Sequence, residues 1–318
     1  MIPSMVDILA ARSRVRGQMD VTPLRQSDWL ASAIGCPVAL KLECIQRTGS
    51  FKIRGACNAL ARLPRRSHVV TASAGNHGRA VAAAARNLGM SATVFAPHSA
   101  PQAKLGAIAR LGAELHLEES YDRAEAHARA FAAEKGLPFI SPYNHRDVIA
   151  GSGTIGLELF DAEPAVATIV VPVGGGGLIG GIAVAAKSIA PRVRIVSVEA
   201  AASCAMLTSV RAARITAIEP QPTLADGLAG NLEPGAITFE IVRSYVDDIV
   251  TVTEEEIARS MRGLLTEEHV VVEGAGAAAV AALLAAKIPA IGPVVALVSG
   301  GNVDAERLVA ILREQPHD

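Results

Sequence analysis

The stretch "TIVVPVGGGGLIGGIAVAAKSIA" (168–190) decides how the rest of the chain is read. Its opening run, 168–173, is almost wholly apolar and rich in β-branched side chains, the pattern of a strand buried in a parallel sheet. Four glycines, Gly174, Gly175, Gly176 and Gly177, follow at once, and an alanine-rich helical run follows them. Glycines at such a turn let backbone N–H groups converge on an anion, and a helix N-terminus adds favourable partial charge. No Gly-Lys-Ser/Thr comes next, so the loop is not a nucleotide P-loop. It does contain a literal G-x-G-x-x-G at Gly175, Gly177 and Gly180, with Glu199 further on at a strand end. Three readings stand open at this point: a phosphate-bearing cofactor, a dinucleotide such as NAD in an oxidoreductase, and a purely structural turn.

The same alternation extends outward in both directions. "HVVTAS" (68–73), "SATVFAP" (91–97), "AELHLEE" (113–119), "VRIVSVEA" (193–200), "DDIVTVT" (247–253) and "PVVALVS" (293–299) read as strands. "GRAVAAAARNLG" (78–89), "APQAKLGAIARLG" (100–112), "YDRAEAHARAFAAEKG" (121–136), 254–266 and 275–286 read as helices, and residues 1–17 as a short amphipathic one. Apolar strands separated by helices predict an α/β protein with largely parallel sheets. Segment 68–140 looks self-contained, so a small α/β domain over 64–145 is expected as an insertion in a larger one made of 1–63 and 146–318.

Composition narrows the function. Of 318 residues, 50% are hydrophobic, 19% charged and only 3% aromatic, so a large core of Ala, Val, Leu and Ile is expected. A net charge of -1 with mixed signs argues against nucleic acid or a membrane surface as partner. No apolar run reaches a membrane span, and no signal-peptide pattern opens the chain. Cys36, Cys44, Cys57 and Cys204 show no CxxC spacing; they predict buried thiols in a reducing cytoplasm rather than disulfides or zinc.

"TGSFKIRGA" (48–56) sets Lys52 between Phe51 and Ile53. Alone, such a lysine reads as solvated or structural. Two further strand-then-glycine turns change that: "TASAGNHGRA" (71–80), with Asn76 and His77, and "LVSGGN" (297–302), with Ser299. Alone, Asn76 and His77 read as helix-cap or turn residues and Ser299 as a turn serine. A single phosphate explains one of the three loops, whereas a cofactor with a phosphate, an aldehyde and a ring nitrogen explains all of them. An amine desolvated by apolar neighbours loses proton affinity and gains a nucleophilic neutral fraction near pH 7.

"SFKIRGA", "SAGNHG", "GGGGLIGG" and "SGGN" occur in the order and spacing of the fold-type II pyridoxal-phosphate enzymes, and the chain resembles their threonine/serine dehydratase and serine racemase family. The likeness runs through "TPLRQSDWL" (22–30), "VIAGSGTIGLEL" (148–159), "PTLADGL" (222–228) and "VVVEGAGAAAVAALL" (270–284), hence over nearly the whole chain. It implies a two-domain, tryptophan synthase β-like fold with pyridoxal 5'-phosphate in the cleft between the domains. It implies Lys52 as the cofactor's covalent anchor and catalytic base, with Phe51 packed near the ring. Gly174 to Gly177 then cradle the phosphate, Asn76 bonds the phenolic oxygen, and Ser299 faces the ring nitrogen. Ser73, Ala74, Gly75, Asn76 and His77 line the loop that takes the substrate carboxylate. The implied activity is β-elimination from L-threonine or L-serine to a 2-oxo acid and ammonia, in a cytoplasmic dimer or tetramer. A less common substrate, 3-hydroxyaspartate or a hydroxyectoine-derived amino acid, is the alternative.

Two departures stand out. Racemases of the family carry a second serine where this chain has Ala74, and a methyl group cannot reprotonate a carbanion. Racemisation is therefore not expected. Some relatives hold a divalent cation near a strand-end Glu with an Asp soon after; Glu199 matches the first, but "AAASCA" (200–205) supplies no carboxylate. No metal is expected, and Glu199 reads as structural or at most a weak ligand. The sequence also ends soon after "SGGN", which leaves no room for the regulatory domain of biosynthetic threonine deaminases and implies a catabolic or constitutive enzyme.

Overall fold

The computed structural model describes residues 1–289 and 291–313. In chain order come α1 (Met5–Val15), β1 (Leu24–Gln26), α2 (Asp28–Ile34), β2 (Val38–Leu42) and α3 (Lys52–Leu60). Next are β3 (His68–Ala72), α4 (Asn76–Asn87), β4 (Ser91–Pro97), α5 (Gln102–Ala109), β5 (Glu114–Glu118) and α6 (Tyr121–Glu134). Then follow α7 (Arg146–Ala162), β6 (Thr168–Pro172), α8 (Gly177–Ile189), β7 (Arg194–Ala200), α9 (Ala205–Arg211), α10 (Ile237–Tyr245) and β8 (Asp248–Val252). The last described elements are α11 (Glu254–Thr266), α12 (Gly274–Leu284), β9 (Val294–Val298) and α13 (Ala305–Arg313).

Two sheets form. The larger has the order β1-β2-β9-β6-β7-β8, the smaller β3-β4-β5. Every neighbouring pair is parallel except β1 with β2. β2, β6 and β9 are buried along their whole length, which explains their lack of polar alternation. The chain runs outward from β6 to β7 and β8, then returns to place β9 on β6's other side. Strand order therefore reverses between β6 and β9, and in open α/β sheets the crevice at the carboxyl ends of such strands receives ligands.

The helices around this crevice pack through glycine. A Cβ on Gly151 of α7 would lie 2.5 Å from the Arg54 carbonyl oxygen of α3, and one on Gly181 of α8 2.3 Å from the Ile149 oxygen of α7. Gly151 and Gly153 of "AGSGTIG" and Gly181, the last glycine of "GGGGLIGG", thus seat α3, α7 and α8 backbone against backbone. α12 is buried from Gly274 to Leu283, so "GAGAAAVAALL" is small and apolar on every face. No described helix is long and apolar enough to cross a membrane. The four cysteines are free thiols; Cys44 and Cys57 are buried as expected, Cys36 and Cys204 only half so.

Each predicted strand and helix appears within a few residues of its expected bounds. Of the elements that the sequence pattern does not show, β2 and α7 matter most to the crevice. Lys41 interrupts the apolar run of β2, and the glycines of α7 resemble helix breakers until their role as contact points is visible.

Candidate active site

Three loops at strand carboxyl ends converge with the start of α3. Gly174–Gly177 follow β6, Ser299–Gly301 follow β9, and Ser73–Gly75 follow β3. Ser50 pairs with Gly300 in an isolated antiparallel bridge, and the Phe51 N–H donates to the Ser299 oxygen at 3.1 Å. These two bonds hold Lys52, the first residue of α3, against the β9 loop.

Lys52 Nζ donates to the Pro142 carbonyl at 2.9 Å and lies 5.2 Å from the centroid of the Phe51 ring. Burial pulls its pKa down from the usual lysine range to about 8, with the Glu273 carboxylate opposing the shift. Of the two apolar neighbours read from the sequence, Phe51 faces the amine. Ile53 points away into the α3–α4 core beside Ala80 and Val81, since consecutive helix residues do not share a face. A lowered pKa sets the pH at which the free amine captures an aldehyde. The rate at which the apoprotein takes up pyridoxal phosphate as a borohydride-reducible adduct should rise through about pH 8 and level off above it. A rise deferred to about pH 10 would show the amine to be solvated.

The glycine loop lies flat against its surroundings. A Cβ on Gly174 would come within 2.7 Å of the Leu228 oxygen, and one on Gly175 within 2.3 Å of the Tyr143 ring. Gly176 adopts φ +85° as the N-cap of α8, a conformation that disfavours other residues. A side chain at Gly174, Gly175 or Gly176 would collide with its neighbours, so the loop keeps its backbone bare. Among the described residues, the buried hydroxyls of Thr48, Ser50 and Thr238 have no hydrogen-bond partner. Thr48 and Ser50 lie four and two positions before Lys52, and Thr238 lies against Gly176. A lysine with a lowered pKa, a side-chain-free glycine loop at a helix N-terminus and unpaired buried hydroxyls at Thr48, Ser50 and Thr238 fit a phosphate-bearing aldehyde cofactor.

Ser73 Oγ accepts the Gly75 N–H at 3.2 Å, shaping the loop in which Ala74 presents only a methyl. Asn76 and His77 open α4, whose first N–H groups have no partner within the helix. The His77 ring is buried and bonds the Ile140 oxygen at 3.0 Å; burial, then Lys52, push its pKa down to about 3, so it is neutral. Only the His77 backbone N–H is left for an anion. Ser299 is buried, with its Oγ 3.4 Å from the Ala275 oxygen.

Glu199 accepts the N–H groups of Met206 and Leu207 at 2.8 and 2.7 Å, capping α9, while burial raises its pKa to about 7. Among the described residues no cluster of three His, Cys, Asp or Glu side chains could hold a metal ion. With Glu199 committed to a helix end, the dinucleotide reading loses the acidic residue that would hold a ribose.

Glu273 is not among the residues that the sequence motifs single out. It is buried, accepts the Asn76 Nδ2–H at 2.6 Å, and burial chiefly raises its pKa to about 7. Its one signal is a carboxylate in the otherwise apolar "VVVEGAGA". A buried ionic quartet likewise has no motif of its own. The Arg54 guanidinium forks onto Glu43 through Nε and Nη2, both at 2.7 Å, and onto Glu158 through Nη1 at 2.6 Å and Nη2 at 2.8 Å. Lys41 Nζ meets Glu158 at 2.5 Å. The quartet is charge-balanced and ties β2, α3 and α7 together two residues from Lys52.

Fold and family together define an enzyme that uses pyridoxal phosphate. The chain belongs to the pyridoxal-phosphate dependent enzyme family, whose model matches residues 15–300. It is 44% identical over 316 residues to an L-threonine ammonia-lyase from Thermotoga maritima, covering 98% of this chain and 78% of that one. Maize serine racemase superposes with a TM-score of 0.92 at 34% identity, covering 98% of this chain and 97% of that one. The processed form of a threonine deaminase from Solanum lycopersicum gives 0.89 at 34% identity, with 96% and 91% covered.

Proposed function

We propose that this chain is a threonine/serine ammonia-lyase that removes the β-hydroxyl and the amine of L-threonine or L-serine. The observation that carries the reading is Lys52, its amine pKa lowered to about 8, set among three strand-end loops of which one offers Ala74 rather than a hydroxyl. The names of the relatives support the same reaction.

Pyridoxal phosphate, once bound, supplies an electron sink for negative charge at the substrate Cα. Lys52 would hold it and, with its amine free, would take the Cα proton as general base. The N–H groups of Gly174 to Gly177 would hold its phosphate, Phe51 would pack near its ring, and Asn76 would donate to its phenolic oxygen. The Ser299 hydroxyl would serve the ring nitrogen; being neutral, it would supply no full proton there, which would moderate the sink and favour loss of a β-substituent over transamination. The backbone N–H groups at Gly75, Asn76 and His77, with Ser73 shaping the turn, hold the substrate carboxylate at a helix N-terminus. The Ala74 methyl cannot return a proton on the face opposite Lys52; the Cα proton and the β-hydroxyl would instead be lost together as water, and the freed enamine would take up water to give the 2-oxo acid and ammonia.

Assay of 2-oxo acid formation across L-serine, L-threonine, 3-hydroxyaspartate and related amino acids tests the proposal. Turnover is expected on serine or threonine; none on either, with turnover on 3-hydroxyaspartate or a hydroxyectoine-derived amino acid, would move the substrate to that class. Ala74→Ser is expected to add measurable interconversion of L- and D-serine. Racemisation by the unmodified chain as fast as elimination would refute the role given to Ala74.

We also propose that 64–145 forms the smaller domain and 1–63 with 146–318 the larger. The sheet β3-β4-β5 falls wholly within the first range, and ion pairs Lys104–Asp226 (2.8 Å) and Arg129–Glu233 link the two. A cytoplasmic dimer or tetramer is proposed with it; sedimentation at monomer mass would dismiss the oligomer.

A further inference from the structure

Asn76 and Arg79 lie three residues apart on α4, so their side chains share a face of the helix. Opposite them, across the junction of the two sheets, stand Asn302 beyond β9 and Glu273 at the start of α12. Arg79 Nη1 donates to Asn302 Oδ1 at 2.6 Å. Asn302 Nδ2 donates to Asn76 Oδ1 at 2.7 Å and to the Thr48 carbonyl at 2.9 Å. Asn76 Nδ2 donates to Glu273 Oε1 at 2.6 Å.

The direction of this chain follows from chemistry. A guanidinium only donates, so Asn302 must turn its oxygen toward Arg79. Its two N–H bonds then face the Thr48 carbonyl and Asn76, and both are used. Asn76 must therefore show its oxygen to Asn302 and its nitrogen to Glu273. The opposite orientation would set amide nitrogen against nitrogen at one end and oxygen against the Glu273 carboxylate at the other. One N–H of Asn76 remains after the bond to Glu273. Gly300 makes the arrangement possible, because a Cβ there would come within 2.1 Å of Glu273 Oε1 and 3.3 Å of Asn76 Nδ2. The "SGGN" turn thus contributes an opening at Gly300 and a relay at Asn302.

We infer that Arg79, Asn302 and Glu273 are positioning residues which fix the Asn76 carboxamide with its nitrogen, as donor, toward the cofactor's phenolic oxygen, Arg79 setting the polarity of the chain. The inference rests on the proposed placement of Asn76 beside the cofactor. Arg79 reaches Asn76 through the Asn302 amide and so acts through two amides.

The test compares Arg79→Met, Arg79→Lys and Asn302→Asp as purified proteins titrated with pyridoxal phosphate, reading the absorbance maximum of the bound cofactor and its dissociation constant. Arg79→Met removes the fixing donor, and about a tenfold weaker affinity with a displaced maximum is expected. Arg79→Lys keeps a donor-only cation and should restore both readouts to within about twofold of the parent. Asn302→Asp preserves volume and the pairing with Arg79 but turns oxygen toward Asn76 Oδ1, so it should displace the maximum as Arg79→Met does. Parent-like maxima and affinities in both Arg79→Met and Asn302→Asp would overturn the relay. Failure of the parent chain to hold pyridoxal phosphate as a borohydride-reducible adduct would instead overturn the placement of the cofactor, and the relay with it.

Discussion

Replacing Lys52 by alanine is expected to lower 2-oxo acid formation by at least about 10⁴-fold, since one side chain acts as both anchor and base. The position leaves little room for a substitute. His77 is buried, neutral and turned toward the Ile140 carbonyl. Glu273 is turned toward Asn76, and Ala74 offers no proton. The variant should also lose the borohydride-reducible adduct while still binding pyridoxal phosphate reversibly, because the Gly174–Gly177 cradle is built from backbone and does not depend on the lysine. These two readouts separate anchoring from folding. A variant that binds the cofactor and turns over at more than about a hundredth of the parent rate would remove Lys52 from its assigned role.

Much of the site was legible in the sequence because glycine is read by its geometry. The "GGGG", "AGN" and "SGG" turns each follow a buried strand, and parallel sheets place such turns at one edge. What stayed hidden depends on contacts between distant segments. Ile53 sits beside Lys52 in the sequence but packs with α4, so the desolvation of the amine comes from Phe51 and the surrounding loops rather than from both neighbours. Glu273 could not be matched with Asn76 across 197 positions, because no local pattern links them. Lys41 interrupts the apolar run of β2, and its bonds to Glu158 on α7 and to the Thr22 carbonyl, both distant in sequence, explain why it is tolerated.

Arg54→Met is expected to cost about 3–5 kcal/mol, the usual penalty for removing one partner from a buried ionic cluster. The side chains of Arg54 and Glu43 are fully buried, and those of Lys41 and Glu158 nearly so. Without the guanidinium, Lys41 alone opposes two carboxylates, and Glu43 keeps only the Thr22 hydroxyl as a side-chain partner. Methionine restores much of the volume but none of the four bonds donated to the carboxylates. Domain stabilities are only about 5–15 kcal/mol, so the midpoint of urea denaturation of the apoprotein should fall sharply. Adding Glu43→Gln to Arg54→Met should recover part of the loss, with a coupling that distant sites would not show. A loss below about 1 kcal/mol would mean that water reaches the cluster, and the quartet would then not be what fixes the start of α3 beneath Lys52.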